Sequence, residues 1–338
     1  MHLDQYGLTA QPFQLTPDAR FWFESATHKQ AMAYLGYGLQ QGEGFIVITG
    51  EIGAGKTTLV GHLIGLLDPA RANAVHLVST QLGRDDLLHA VAQGLGLSVS
   101  GLGKADVLAQ IQAFLSEGAK AGKRTLLFVD EAQNLPVESL EELRMLSNFQ
   151  NAATPMIQIL LLGQPEFRTM LNTPALEQLN QRVIASHHLT GMDVEEVAAY
   201  LNHRMAIVGW HGRPHFLTDA VTSIHEATNG IPRLINHVAA RALLLAGLEQ
   251  SDKIDAQTIA MVEAELAHEA PREIEKELAT LIAAGPAGLD AAARLAMLEA
   301  QVSEQDAALR RVLSILVNWI EAEPGLVSKP TLVSAPAA

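Results

Sequence analysis

The chain has 338 residues, 48 % of them apolar and 18 % charged, with a formal net charge of −14 and no cysteine. That size and apolar content suit two globular domains and a tail, while the missing cysteine excludes disulfide frameworks, cysteine-based zinc sites and cysteine nucleophiles. Residues 271–338 hold nine acidic and six basic side chains, which leaves a net −11 on residues 1–270; such a surface disfavours nucleic acid as a partner, a local basic patch excepted.

The start, Met1-His2-Leu3-Asp4-Gln5-Tyr6, lacks the basic and apolar regions of a signal peptide. The longest apolar runs, around Ile157–Leu162 and Val312–Ile320, are too short to span a bilayer. A cytoplasmic protein fits, at most peripheral to the inner face of a membrane.

Residues 1–27 read as an irregular leader with Tyr6, Pro12, Phe13, Phe21, Trp22 and Phe23. For Tyr6 and Phe13 two roles stay open: contact with the base of a nucleotide, or cover for an edge of the core. A helix from about His28 to Gln41 precedes a strand at Phe45–Thr49. There follow Gly50, Glu51, Ile52, Gly53, Ala54, Gly55, Lys56, Thr57 and Thr58, then the apolar periodicity of Leu59, Val60, Leu63, Ile64 and Leu67. Strand, glycine-rich loop and helix are the context in which G-x-x-x-x-G-K-[ST] binds phosphate. The glycines turn backbone N–H groups inward as an anion nest, and the helix start adds its positive dipole end. Lys56 reaches β- and γ-phosphates as a point charge, and Thr57 offers a hydroxyl to Mg²⁺.

Ala74–Val78 reads as a second buried strand, followed by helices over about Asp85–Gly94 and Lys104–Lys120. Leu126–Val129 is apolar throughout and ends in Asp130-Glu131, as a buried parallel strand would when it delivers acids to its C-terminal edge. A helix to about Asn148, a buried strand at Ile157–Gly163 closed by Gln164-Pro165, the polar stretch Gln178–Arg182 and a strand at Val183–Leu189 complete an α/β segment with a parallel sheet. From the capping-box signature Asp193-Val194-Glu195-Glu196 only helices follow, to about Val208, then at Thr218–Thr228, Pro232–Gly247 and Asp255–Glu269. The resulting division is 1–190 for the leader and phosphate-loop core, 191–269 for a helical lid, 270–288 for a linker, 289–322 for a helix with a seven-residue repeat (Leu295 to Trp319) and 323–338 for a disordered tail. The repeat suits either a coiled coil or an amphipathic helix docked on its own protein.

Asp130 and Glu131 can do more than cap the next turn. Hydrolysis of ATP needs a metal beside the phosphates and a group that orients and deprotonates water; Asp130 suits the first task, directly or through water, and Glu131 the second. His187-His188 and the 210–215 loop, by contrast, lack metal-ligand spacing.

With these residues in view the chain resembles an AAA+ ATPase, and more narrowly the ExeA/GspA-type secretion ATPases, nearest to those associated with exosortase and PEP-CTERM export loci of Gram-negative bacteria. Tyr6-Gly7-Leu8, Pro12-Phe13, Thr16-Pro17-Asp18, Gly44–Thr58, Val129–Pro136, Leu143–Gln150, Leu162–Phe167 and Gly230–Asn236 carry the likeness, which covers about residues 1–269. It implies a three-layer α/β P-loop domain, an all-α lid and a C-terminal helix, with ATP and Mg²⁺ bound. It places Gln164 as the sensor-1 residue, where many AAA+ proteins have Asn; Arg182 as an arginine finger reaching a neighbouring subunit; and Arg233 as the sensor-2 arginine at the start of a lid helix. It further implies a homo-oligomer and an export-system partner at the inner membrane. The expected function is ATP hydrolysis coupled to assembly of an exopolysaccharide, PEP-CTERM protein or general-secretion-like system. A nucleotide-gated scaffold with little turnover and a DNA-associated regulator of the transposition-helper type are the alternatives.

Overall fold

Three apolar runs, Phe45–Gly50 (β1), Arg124–Asp130 (β3) and Ile157–Gly163 (β4), are buried along almost their whole length because each has neighbours on both sides and helices on both faces. In the computed structural model, which describes residues 5–16, 18–78, 82–151 and 154–268, they form the middle of a five-stranded parallel sheet. Ala72–Val78 (β2) and Val183–Leu189 (β5) flank them in the order β2-β3-β4-β1-β5. Ala74–Val78, expected as a buried strand, lies instead in an edge strand where only Val75 is buried. The linker, heptad helix and tail expected over 270–338 lie outside the described residues.

Alternation along the central strands splits their side chains between two cores. Phe45, Val47, Leu127, Val129, Ile159 and Leu161 face Arg84–Gly94 (α3), Lys104–Lys120 (α4), Val137–Leu146 (α5) and Pro165–Leu171 (α6). Ile46, Ile48, Leu126, Phe128, Leu160 and Leu162 face Ala26–Gln41 (α1) and Lys56–Leu66 (α2). At about 25 cal/mol per Å² of apolar surface, these two layers supply most of the drive to form the sheet.

After Leu189 no long strand occurs among the described residues. Val194–Ile207 (α7), Thr218–Thr228 (α8), Pro232–Leu248 (α9) and a helix over 256–268 enclose a third core. The capping box is present: Glu196 N donates to Asp193 Oδ1 at 2.8 Å, and Asp193 N to Glu196 Oε2 at 3.3 Å. Tyr6, Leu8, Phe13 and Phe21 of the leader belong to this third core. For Tyr6 and Phe13 the covering role therefore holds. The buried Arg204 of α7 fastens the leader there: it donates to the Pro12 and Gln14 carbonyls at 2.5 and 3.3 Å and lies over the Phe21 ring, 4.4 Å from its centroid. Among the described residues Arg204 has no carboxylate partner, so backbone carbonyls and an aromatic face compensate its charge.

At the start of α1, the Ser25 side chain caps the helix and pairs with His28 Nδ1 at 2.7 Å. The His28 ring is buried against the glycine loop; a Cβ on Gly55 would stand 2.8 Å from its Nε2. Burial, helped by the nearby His187, lowers the His28 pKa to about 4. The native imidazole thus stays neutral where the unfolded chain, with its ordinary value near 6.5, takes up a proton. The stability this confers is whole above pH 6.5 and is lost as pH falls towards 4, by roughly 2 kcal/mol between pH 7 and pH 5. His28→Gln should therefore flatten the acid limb. Melting temperatures at pH 7 and 5 should differ by several degrees less in the variant than in the parent, and an equal difference would contradict this account.

Candidate active site

Parallel register decides what meets at the sheet's C-terminal edge. Thr49 of β1 pairs with Gly163 of β4, and Val129 of β3 pairs with Leu161 of β4. The ends of β1, β3 and β4 are thereby level, and each carries one part of the expected site: the glycine loop, Asp130-Glu131 and Gln164.

The loop closes because Gly53 and Gly55 take φ values of +86° and +95°, a region costly for side-chain-bearing residues. Gly55 caps α2, whose first residue is Lys56. Lys56 is only 5 % exposed, and its ammonium donates to the Gly50 and Glu51 carbonyls at 2.7 and 3.0 Å. Burial pushes its pKa below the usual lysine range, against the opposing pull of Glu131, Asp130, Glu51 and Glu166. A buried ammonium with a helix start beside it is an anion site.

Thr57 Oγ1 donates to Asp130 Oδ2 at 2.6 Å, and Glu131 N donates to Asp130 Oδ1 at 3.0 Å. Asp130 is 3 % exposed, which by itself would raise its pKa; the His76 imidazole, the Thr57 hydroxyl and the Glu131 N–H outweigh that and hold it below the ordinary value. An ionised carboxylate beside a hydroxyl is a hard oxygen pair of the kind Mg²⁺ takes, with its remaining positions left to water and phosphate. The two residues fit the ion.

Glu131 follows in the left-handed conformation, φ 52° and ψ 42°, and opens a short 3₁₀ turn, Ala132–Asn134. Its Oε2 accepts from Gln133 Nε2 at 2.5 Å and from Gln164 Nε2 at 3.1 Å. Gln164, the N-cap residue of α6, therefore stands where a polar group after β4 can act with Glu131.

Arg233, at the second position of α9, meets the loop from the helical side. Its backbone N donates to Gly53 O at 3.3 Å, and any Cβ on Gly53 would collide with the arginine's own Cβ. Arg233 is exposed and lines a cleft of about 240 Å³. The cleft runs between the loop and the leader, with Leu15, Trp22 and Phe23 on its far wall. Trp22 stacks on His62 of α2 with the ring centroids 4.2 Å apart.

Arg182 is not part of this assembly. It precedes β5 at the opposite edge of the sheet, where its carbonyl accepts from Phe45 N at 2.9 Å and its Nη1 donates to Ser147 Oγ at 3.2 Å. The six residues of β1 separate it from the loop, about 20 Å at 3.3 Å per residue.

Several side chains at the site escape linear reading. Gln133 could have been suspected as an amide two residues past the candidate base. His76, 3.8 Å from Asp130 Oδ2, is the polar member of β2 on the Asp130 side, but naming it needs the strand register. His187 and His188 hydrogen-bond to Thr27 and Thr49 at 3.3 and 3.0 Å.

The comparisons agree with this geometry. Residues 39–171 match the family described as AAA domain. General secretion pathway protein A of Aeromonas hydrophila is 37 % identical over 255 residues, which are 75 % of this chain and 46 % of that protein; the chain thus spans under half the length of this relative. Among solved structures, Cdc6p of Pyrobaculum aerophilum superposes with a TM-score of 0.57 at 17 % identity, over 78 % of this chain and 70 % of that one. The ORC2 protein of Aeropyrum pernix, in ADPNP–ADP complexes, does so with a TM-score of 0.52 at 15 % identity, over 71 % and 66 %. At such identities these two speak for the fold alone. Sheet order, phosphate loop and sequence similarity together establish that the chain belongs to the AAA+ P-loop NTPases of the ExeA/GspA type.

Proposed function

We propose that this chain hydrolyses ATP and passes the nucleotide state, through its helical lid, to an export system. The observation that carries the proposal is the convergence of Lys56, Thr57, Asp130, Glu131 and Gln164 at the level ends of β1, β3 and β4. On this reading Lys56 and the loop N–H groups hold the β- and γ-phosphates. Thr57 and Asp130 hold Mg²⁺, which when bound neutralises phosphate charge. Glu131 takes a proton from the attacking water as its oxygen bonds to the γ-phosphorus and the bond to the bridging oxygen of ADP breaks. Gln164 orients the water or the γ-phosphate. Arg233 lies on α9, against the loop, so the presence of a γ-phosphate sets how the lid closes.

The Gln164, Arg182 and Arg233 roles, the lid as a separate domain and the assembly into a homo-oligomer belong to the same proposal. So do a cytoplasmic location at the inner face of the membrane, an inner-membrane partner and a place in an exosortase or PEP-CTERM export locus. The similarity to general secretion pathway protein A supports an export role. No helix of the described residues is long and apolar enough to cross a membrane, which is compatible with recruitment by a partner.

Lys56 and Glu131 should fail differently. Lys56→Ala should weaken ATP binding at least about tenfold, whereas Glu131→Gln should keep it and lose about 10²-fold or more in turnover. Equilibrium binding of a fluorescent ATP analogue alongside phosphate release checks this, and equal loss of binding in both variants would remove the assignment. A parent that binds ATP but does not turn it over would instead be the nucleotide-gated scaffold.

Arg182, a strand's length from its own loop, suits a neighbour's nucleotide. A guanidinium delivered there stabilises charge that grows in the transition state. Arg182→Ala should bind ATP yet lose about 10³-fold in rate. Mixing it with Lys56→Ala protein should restore part of the activity, because sites with an intact Lys56 and a neighbour's intact Arg182 reappear. No recovery in mixtures shown to form mixed oligomers would assign Arg182 to its own subunit or to no catalytic role.

A further inference from the structure

We infer that Gln133 is a positioning residue that ties the water-activating carboxylate to the residue after β4, so that Glu131 and Gln164 move as one unit. The inference rests on the proposal that Glu131 acts on water. Its ground is the use Gln133 makes of both ends of its amide. Nε2 donates to Glu131 Oε2 at 2.5 Å, while Oε1 accepts from the Gln164 backbone N–H at 3.0 Å. A carboxylate can only accept and a backbone N–H can only donate, so the orientation of this amide is fixed by its partners. The Gln164 side chain closes the ring by donating to the same Glu131 oxygen at 3.1 Å.

Two consequences follow. Both recorded side-chain donors act on Oε2, so the role of proton acceptor falls to Oε1. Glu131 also sits in a left-handed conformation, φ 52°, that a residue with a side chain adopts only when its surroundings impose it. The Gln133 bridge is one such restraint, and it acts from the turn that Glu131 itself opens. A γ-phosphate that draws on Gln164 would therefore also draw on the base, and the carboxylate would be set for attack only with the phosphate in place. Gln133 itself touches neither phosphate nor water in this scheme; it works through Glu131 and Gln164.

The test is a double-mutant cycle in the full-length protein, with ATP affinity and turnover measured separately. Gln133→Ala should leave ATP affinity within about twofold and reduce kcat about tenfold to a hundredfold, the cost of a misplaced group. In a Glu131→Ala background the same change should alter the residual turnover less than about twofold, because the group it positions is gone. Gln133→Glu is close to isosteric, keeps the acceptor for Gln164 N and sets a second carboxylate against Glu131; it should lose at least as much kcat with ATP affinity kept. It also stands in for the alanine variant should that protein fail to fold. An unchanged kcat, an equal fall in both backgrounds, or a loss of ATP affinity in the Gln133 variants would overturn the inference. If Glu131→Ala turns over like the parent, the base assignment falls and this inference with it; if Glu131→Ala is impaired while Gln133→Ala is not, the inference alone falls.

Discussion

The hydrogen bond from Thr57 to Asp130, at 2.6 Å, joins the first turn of α2, which follows the glycine loop, to the end of β3 across the intervening β4. It can form only because the strands run parallel and end level, and that in turn follows from a sheet buried on both faces. The middles of β1, β3 and β4 are apolar, with polar side chains mainly near the strand ends, so volume matching against the two helical layers sets the register. The price of one slipped residue would be an exchange of the two apolar faces and removal of Asp130 from Thr57 together. Stability and site geometry are thus fixed by the same packing.

The helical part is held to the loop by contacts that tolerate no substitute. Gly53 leaves no room for a side chain beside Arg233, whose backbone N donates to Gly53 O at 3.3 Å as α9 begins. The leader adds a second tie. Its rings sit in the helical core under Arg204, while Leu15, Trp22 and Phe23 form a wall of the cleft. A ligand in that cleft would touch loop, leader and α9 at once. On the proposed function that is the route by which a nucleotide is felt in the lid, and it calls for rigid-body adjustment rather than refolding.

What could be read from the sequence follows from how local each signal is. The central strands were legible because a strand buried on both faces needs a continuous apolar run, and few other structures do. The helix spans were legible for a similar reason, with the ends of α4 and α8 fixed by flanking glycine and polar residues. β2 misled, since Ala74–Val78 has the composition of a buried strand although it lies at an edge, and edge position is a property of sheet order that no single segment encodes. Lys56, Thr57, Asp130 and Glu131 were legible because phosphate chemistry imposes fixed spacing within one loop and one strand end. Gln133 and His76 were not, since each matters through a partner supplied by another strand. Arg204 was not legible either, since its burial depends on the leader, nearly two hundred residues away in the chain.

Arg182 shows how far register carries a functional argument. The resemblance places it as an arginine finger, but the residues around it show only an arginine before a strand. Once β5 is paired with β1 from Phe45 to Gly50, the residue before it must lie at the edge opposite the glycine loop. No side-chain rotation closes about 20 Å, and its hydrogen bond to Ser147 holds it on the far side of the domain. On the proposed function the phosphate that Arg182 meets therefore belongs to another copy of the chain, and the site would be complete only between neighbours. The Gln133 bridge and Arg182 would then act on the same γ-phosphate from opposite sides, one fixing the base within a subunit and the other making turnover conditional on the next.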